Sequence, residues 1–254
     1  MTSKNLWCSC LLTIVITLSV LATPSEAAVG SDISFSSGGE VISAYVAAPD
    51  NPGVYPAIIA IHDWWGLTPW MRTTADSLAN KGYLVMAVDL YRGQKPDNAD
   101  AANRMSRRLP GERVTQDLNA AYEYLKSRQD VRVDKIATAG WSMGGGYALT
   151  MALSQSDLAA CVISYGRVIT EQASIMKINC PILGIFGEDD RSIPSRSVLS
   201  FQAACNKAGK TVTVHVIPKA GHTFMNELQP QSYRPEASER AWTHIHAFLR
   251  ENLQ

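Results

Sequence analysis

From residue 41 onward the chain alternates two hydrophobic patterns. Short, β-branched, almost wholly apolar runs cover 41–47, 57–62, 84–88, 135–139, 159–164, 182–186 and 211–217. Strands covered on both faces read this way, because neither face meets water. Segments of helical length lie between them at 70–80, 98–107, 113–127, 145–154, 195–208 and 236–250. In the third of these, Val114, Leu118, Ala121, Tyr122 and Leu125 recur at the helical period, an apolar stripe suited to core packing. The alternation predicts an α/β fold with a mostly parallel, doubly wound sheet and helices on both faces. No repeat or low-complexity tract interrupts the series. The stretches PDNADAAN (96–103) and NELQPQSYRP (226–235) read as surface loops or helix starts.

The first residues break the pattern. Lys4 precedes an apolar run over 11–22, and Ser25 and Ala27 suit the small positions ahead of a cleavage site. That run is about a dozen residues against the roughly 20 that span a bilayer. Residues 1–27 are therefore expected to be a cleaved signal peptide, with 28–254 a single domain, secreted or periplasmic and without stable membrane anchoring. Cleavage would remove Cys8 and Cys10 and leave Cys161, Cys180 and Cys205, an odd number that permits at most one internal disulfide. The whole chain of 254 residues is 46% hydrophobic, 18% charged and formally neutral. A large core is within reach, and there is no bulk bias toward nucleic acid.

Chemistry enters at AGWSMGGGY (139–147), which follows a strand and opens a helix. Gly140, Ser142 and Gly144 form a Gly-x-Ser-x-Gly turn, in which glycines let neighbouring backbone pass close to a serine held out above the sheet. A serine hydroxyl is a weak nucleophile, so it needs a base and a group that orients the base. The strand over 182–186 runs into GEDDRSIP, offering Asp190 with Asp189 as the competing acid. The strand over 211–217 runs into PKAGHTF, offering His222. Singly, Asp190 reads as a turn or capping residue and His222 as a loop histidine; their order and their places after the carboxyl ends of strands favour a triad of Ser142, His222 and Asp190. The loop HDWWGL (62–67) follows an earlier strand. The backbone N–H groups of Trp64 and Met143 are the expected oxyanion-hole donors, and at least one of Trp64 and Trp65 is expected in the pocket.

With these residues in place the chain resembles the dienelactone hydrolase family of α/β-hydrolases. The resemblance runs through HDWWGLTPWMRTTADSLANKGYLVMAVDLYRG (62–93), AGWSMGGGYA, ISYG (163–166), GEDDRSIP and AGHTF. It implies the α/β-hydrolase fold and cofactor-free cleavage of esters or lactones. In many such hydrolases the acid sits in a Gly-x-x-Asp-x-x-hydrophobic-Pro run, which Gly187 to Pro194 matches and which favours Asp190 over Asp189. The namesake enzymes carry cysteine where this chain has Ser142 and glutamate where it has Asp63, so Asp63 is expected as a polar residue behind the site, with a direct part in the substrate pocket the alternative. They also hold a substrate carboxylate with two arginines. One of those positions is Asn226 here and the other is displaced to Arg92, with Arg167 a candidate replacement. The elbow around Ser142 is similar, too, to that of cutinase-like and polyester-cleaving hydrolases.

The segment over 165–181 has room for a short helix and no cap domain. Trp64, Trp65, Tyr165 and Phe224 are expected to line a site roofed only by loops, open to short acyl or small aromatic esters. No metal or nucleotide signal is present: His244 and His246 point in different directions on their helix, His62 and His215 are strand positions, and Gly144-Gly145-Gly146 lacks a phosphate-loop ending. The expected partner is a small ester or lactone, with no cofactor and no nucleic acid, and the chain is read as a monomer, with a dimer the alternative. The rival from another class is a non-catalytic protein that binds a small ligand in the Trp64/Trp65 cleft.

Overall fold

The computed structural model describes residues 29–254; the leader read over 1–27, with Cys8 and Cys10, lies outside them. The elements run β1 (Ser31–Ser37), β2 (Glu40–Ala47), β3 (Tyr55–Ile61), α1 (Pro69–Ala79), β4 (Leu84–Val88), α2 (Ala99–Arg108), α3 (Gly111–Ser127), β5 (Val131–Trp141), α4 (Met143–Ser154), β6 (Ala160–Ser164), α5 (Gln172–Ile175), β7 (Ile182–Gly187), α6 (Ser195–Lys207), β8 (Val212–Ile217) and α7 (Pro235–Leu253). All eight strands join one sheet in the order β1-β2-β4-β3-β5-β6-β7-β8. The run from β4 to β8 is parallel, and β2 and β1 extend it antiparallel. This is the doubly wound arrangement the alternation predicts, and the short helix α5 is all that the 165–181 segment contributes over the sheet.

Strand alternation divides the core into two layers. Ala57, Ile59 and Ile61 of β3 face one layer, with Leu118 of α3, Leu149 of α4 and Phe201 of α6. Ile58 and Ala60 face the other, with Met71 and Leu78 of α1 and Ile245 and Leu249 of α7. Because both faces are covered, the central strands carry no polar alternation, as in the sequence.

β1 is absent from the sequence reading, and the reason is compositional. Its residues SDISFSS hold two large apolar side chains, and its burial alternates as expected for an edge strand with one wet face. Gly38 and Gly39, at φ 57° and 83°, close the two-residue hairpin to β2. β5 also begins earlier than expected, at Val131. The three cysteines of the described residues are all buried and free.

The hairpin is tied down by a charge inside the protein. The fully buried Asp117 of α3 accepts from the Ser37 hydroxyl at 2.6 Å and pairs with the Arg92 guanidinium at 3.0 Å; Arg92 also meets Glu40. Removing one partner of a buried pair strands the other charge without water. Arg92→Ala is expected to lower stability by about 3 kcal/mol in urea unfolding, while kcat per folded molecule stays within about twofold.

Candidate active site

The strand order reverses beside β3, since β4 lies on one side of it and β5 on the other. Open α/β sheets form their crevice at such a switch point, beyond the carboxyl ends of the strands. Here the loop after β3 and the turn after β5 meet. Ser142 occupies that turn at φ 54° and ψ −114°, a strained conformation for a residue with a side chain. Its N–H is held by the Ser164 carbonyl at 2.9 Å. A Cβ on Gly140 would collide with the Gly144 carbonyl, and one on Gly144 with the Ile61 and His62 carbonyls. Both glycines are therefore required by close backbone approach, not by loop flexibility.

His222, from the loop after β8, stands 2.7 Å from the Ser142 Oγ through Nε2 and 2.7 Å from Asp190 Oδ2 through Nδ1. Asp190, from the loop after β7, accepts two further bonds on Oδ1, from the N–H groups of Ser192 at 2.8 Å and Ile193 at 3.0 Å. Burial alone would raise its carboxyl, but the bonds from His222, Ile193 and Ser192 outweigh burial and hold it below the usual carboxylate range. An ionised Asp190 fixes the proton of His222 on Nδ1. Nε2 is then the acceptor for the serine hydroxyl. Asp189, the competing acid, instead uses its N–H on the Ala220 carbonyl and is exposed.

Met143 and Gly144 open α4, where N–H groups have no partner within the helix. The Trp64 N–H, the opposite donor expected from the sequence, belongs to the peptide whose carbonyl is Asp63 O. That carbonyl accepts from His62 Nδ1 at 2.6 Å and from the Gly66 N–H at 3.2 Å. His62 Nε2 in turn accepts from the Leu90 N–H at 3.1 Å, so His62 is a buried neutral ring that burial keeps below its ordinary pKa. The next peptide is fixed by the Tyr91 hydroxyl, which donates to Trp64 O at 3.0 Å. In the sequence His62 served only to exclude a metal and Tyr91 drew no notice; both orient the loop, and nothing in their spacing announces it.

The other candidates separate. A cleft of about 810 Å³ contains Ser142, His222, Trp64, Met143, Tyr165 and Arg167. Trp65 does not line it: the ring turns to a separate hollow with Leu67, Pro96 and Leu228. Phe224 is also not pocket lining, being fully buried with its ring 5.5 Å from Tyr165, which itself meets the His222 ring at 5.5 Å. Arg92, read as a remnant of the carboxylate clamp, is committed to Asp117 and Glu40 and borders a different cavity. Asp63 lies behind the loop, 4% exposed, where it accepts from the Trp65 N–H at 2.8 Å and from the Asn226 side chain. Cleft residues absent from the sequence reading include Tyr147, Ile169 and Ile193.

Comparison with known proteins identifies the family. Residues 42–253 match the Dienelactone hydrolase family. The chain belongs to that family. Among dienelactone hydrolase relatives, a candidate carboxymethylenebutenolidase of Methylorubrum extorquens is 26% identical over 245 residues, covering 91% of this chain and 84% of the relative. Another, from Saccharolobus solfataricus, is 29% identical over 86% of this chain and 97% of its own length. The crystal structure of a candidate dienelactone hydrolase from Klebsiella pneumoniae superposes with a TM-score of 0.82 at 26% identity, covering 89% of this chain and 99% of that one. The protein is thus a hydrolase of the dienelactone hydrolase family. Among its described residues no helix is long and apolar enough to cross a membrane, and no group of three metal-ligating side chains occurs.

Burial raises the Asp63 carboxyl to about 6, against the lowering effect of Trp65, Asn226 and His222. A raised folded pKa means stability that is complete below the ordinary value and lost as pH rises through 6. The roughly 2 pH units involved correspond to about 3 kcal/mol. Asp63→Asn is expected to melt close to wild type near pH 4 and to gain on it above pH 6, read as the difference in Tm across that range.

Proposed function

We propose that this hydrolase cleaves small carboxylic esters or lactones through a Ser142-His222-Asp190 triad and an acyl-enzyme intermediate. The observation that carries the reading is the unbroken relay of two 2.7 Å contacts from Asp190 through His222 to Ser142. As Ser142 Oγ attacks the carbonyl carbon, its proton passes to His222 Nε2. Asp190 stabilises the imidazolium in place. Negative charge collects on the former carbonyl oxygen, where the Trp64 and Met143 N–H groups and the N-terminus of α4 meet it; each such donor is worth about 3 kcal/mol of barrier. His222 then returns the proton to the leaving alcohol oxygen. In a second round it takes a proton from water, which attacks the acyl carbon and releases the acid and free Ser142. A lactone opens by the same steps, its alcohol remaining on the acyl chain until hydrolysis. The names of the relatives in Methylorubrum extorquens and Saccharolobus solfataricus support including lactones.

Two features favour an ester hydrolase of open scope over one dedicated lactonase. The oxygen nucleophile replaces the thiol expected from the family resemblance, and Arg92 is withdrawn into an internal ion pair. Among the described residues no cap domain covers the site, so short acyl and small aromatic esters have direct access. We further propose that the enzyme is exported to the periplasm or medium after removal of residues 1–27, on the charge, apolar run and small residues of that leader.

Ser142→Ala is expected to lower kcat on p-nitrophenyl acetate by a factor on the order of a thousand or more and to abolish labelling by a fluorophosphonate probe. Near-normal turnover in that variant would sink the mechanism, and failure of the wild-type enzyme to label would leave a ligand-binding role instead. For export, N-terminal sequencing of the protein recovered outside the cytoplasm should begin at Ala28.

A further inference from the structure

The helix after the nucleophile has an unusual surface. α4, with sequence MGGGYALTMALS, carries no charged side chain. α4 packs over the middle of the sheet, on β3, β5 and β6 and against α3, and a helix apolar all round is ordinarily buried all round. The buried stripe is present, in Ala148, Leu149, Met151 and Ala152. The second stripe is Met143, Gly146, Tyr147, Thr150 and Leu153, all only half-buried. Of its two hydroxyl groups, that of Thr150 donates to the Gly146 carbonyl at 3.1 Å.

These five residues line the same cleft of about 810 Å³ that holds Ser142 and His222, with Ile169 and Ile193 also lining it and Arg107 and Arg167 bringing charge to its other walls. From Met143 to Leu153 the helix rises about 15 Å. That is the reach of a medium-length alkyl chain, and the volume suits a ligand far larger than an acetyl ester. Gly146 fits the same picture. A Cβ added there would meet nothing nearer than the Arg167 Cβ at 3.6 Å, so no close backbone approach requires a glycine. A glycine inside a helix weakens it relative to alanine, yet this one keeps the groove open one turn from Ser142.

We propose that this groove is a substrate subsite for an unbranched apolar arm of medium length, making the preferred substrates esters that carry such a chain. The inference rests on the hydrolase reading above and shifts its preferred substrates from short acyl esters to longer ones. Filling Gly146 closes the groove near its mouth, and a charge at Leu153 spoils its far end.

The experiment compares kcat/KM for p-nitrophenyl acetate, butyrate and octanoate, and for the acetates of butanol and octanol, so that an acyl arm and an alcohol arm are told apart. In the wild-type enzyme one series should rise with length, on the order of threefold per methylene over the first few carbons. Gly146→Leu should lower the octyl-to-acetyl ratio in that series at least tenfold. Leu153→Asp should penalise the octyl member relative to the butyl one. The ratio is internal to each variant, so a loss of folded protein does not move it, and Gly146→Ala, which favours the helix, should fall between wild type and leucine. A flat or falling series for both arms overturns the groove, as does an unchanged ratio in Gly146→Leu. If acetate is cleaved and Ser142 is labelled in such an experiment, the hydrolase reading stands and only the subsite fails; absence of both defeats the hydrolase reading itself.

Discussion

A non-glycine residue at φ 54° and ψ −114° sits in a region that costs on the order of 1–3 kcal/mol, so Ser142 stays there only because its surroundings over-determine it. The Ser164 carbonyl holds its N–H, and Gly140 and Gly144 let the turn press against β3 and the first turn of α4. The same strain lifts the hydroxyl out of the sheet and aligns the first amides of α4 beside it. Tyr165 at φ 41° and Thr223 at φ 59° place two more strained residues in the loops around the same spot. Backbone strain in this molecule is thus concentrated where the carboxyl ends of β5, β6 and β8 converge.

The loops around Ser142 are stiffened by buried polar groups that do not touch the cleft. His62 bridges the Asp63 carbonyl to the Leu90 N–H, and Tyr91 holds the Trp64 carbonyl. Asp63 joins the Trp65 N–H to the Asn226 side chain, which links the loop after β3 to the one carrying His222. The effect is preorganisation: donors already aimed need no reorientation when charge develops. The two carboxylates are shifted in opposite directions. Asp190 receives hydrogen bonds from His222, Ile193 and Ser192 that outweigh its burial, whereas burial outweighs the bonds to Asp63 and raises it.

Around this rigid centre the walls are permissive. Only the short α5 lies in the segment between β6 and β7, so the cleft is open above and apolar along α4. Selectivity in such a site comes from the length and shape of its floor more than from enclosure. The cation that a resemblance alone would place at the substrate is instead structural, locked between Glu40 and Asp117 at the root of the β1–β2 hairpin.

What the sequence determined by itself was whatever is encoded in local periodicity and in order along the chain. The apolar runs marked the central strands because burial on both faces leaves no polar alternation to confuse, and the edge strand β8 showed through its β-branched residues. Ser142, Asp190 and His222 stood out because each follows a strand, in an order that the topology brings to one edge. β1 escaped because a serine-rich edge strand lacks that apolar signal. Only the tertiary structure decided the rest, since it depends on contacts between residues distant in sequence. Trp64 and Trp65 are adjacent and identical in type, yet packing turns one into the cleft and the other away from it. Arg92 is a substrate ligand or an internal counter-ion depending on Asp117, a partner on another element. The stripe on α4 is apolar in any reading, but that it faces open space beside a nucleophile follows from how α2, the 165–169 loop and the 190–193 turn leave it uncovered.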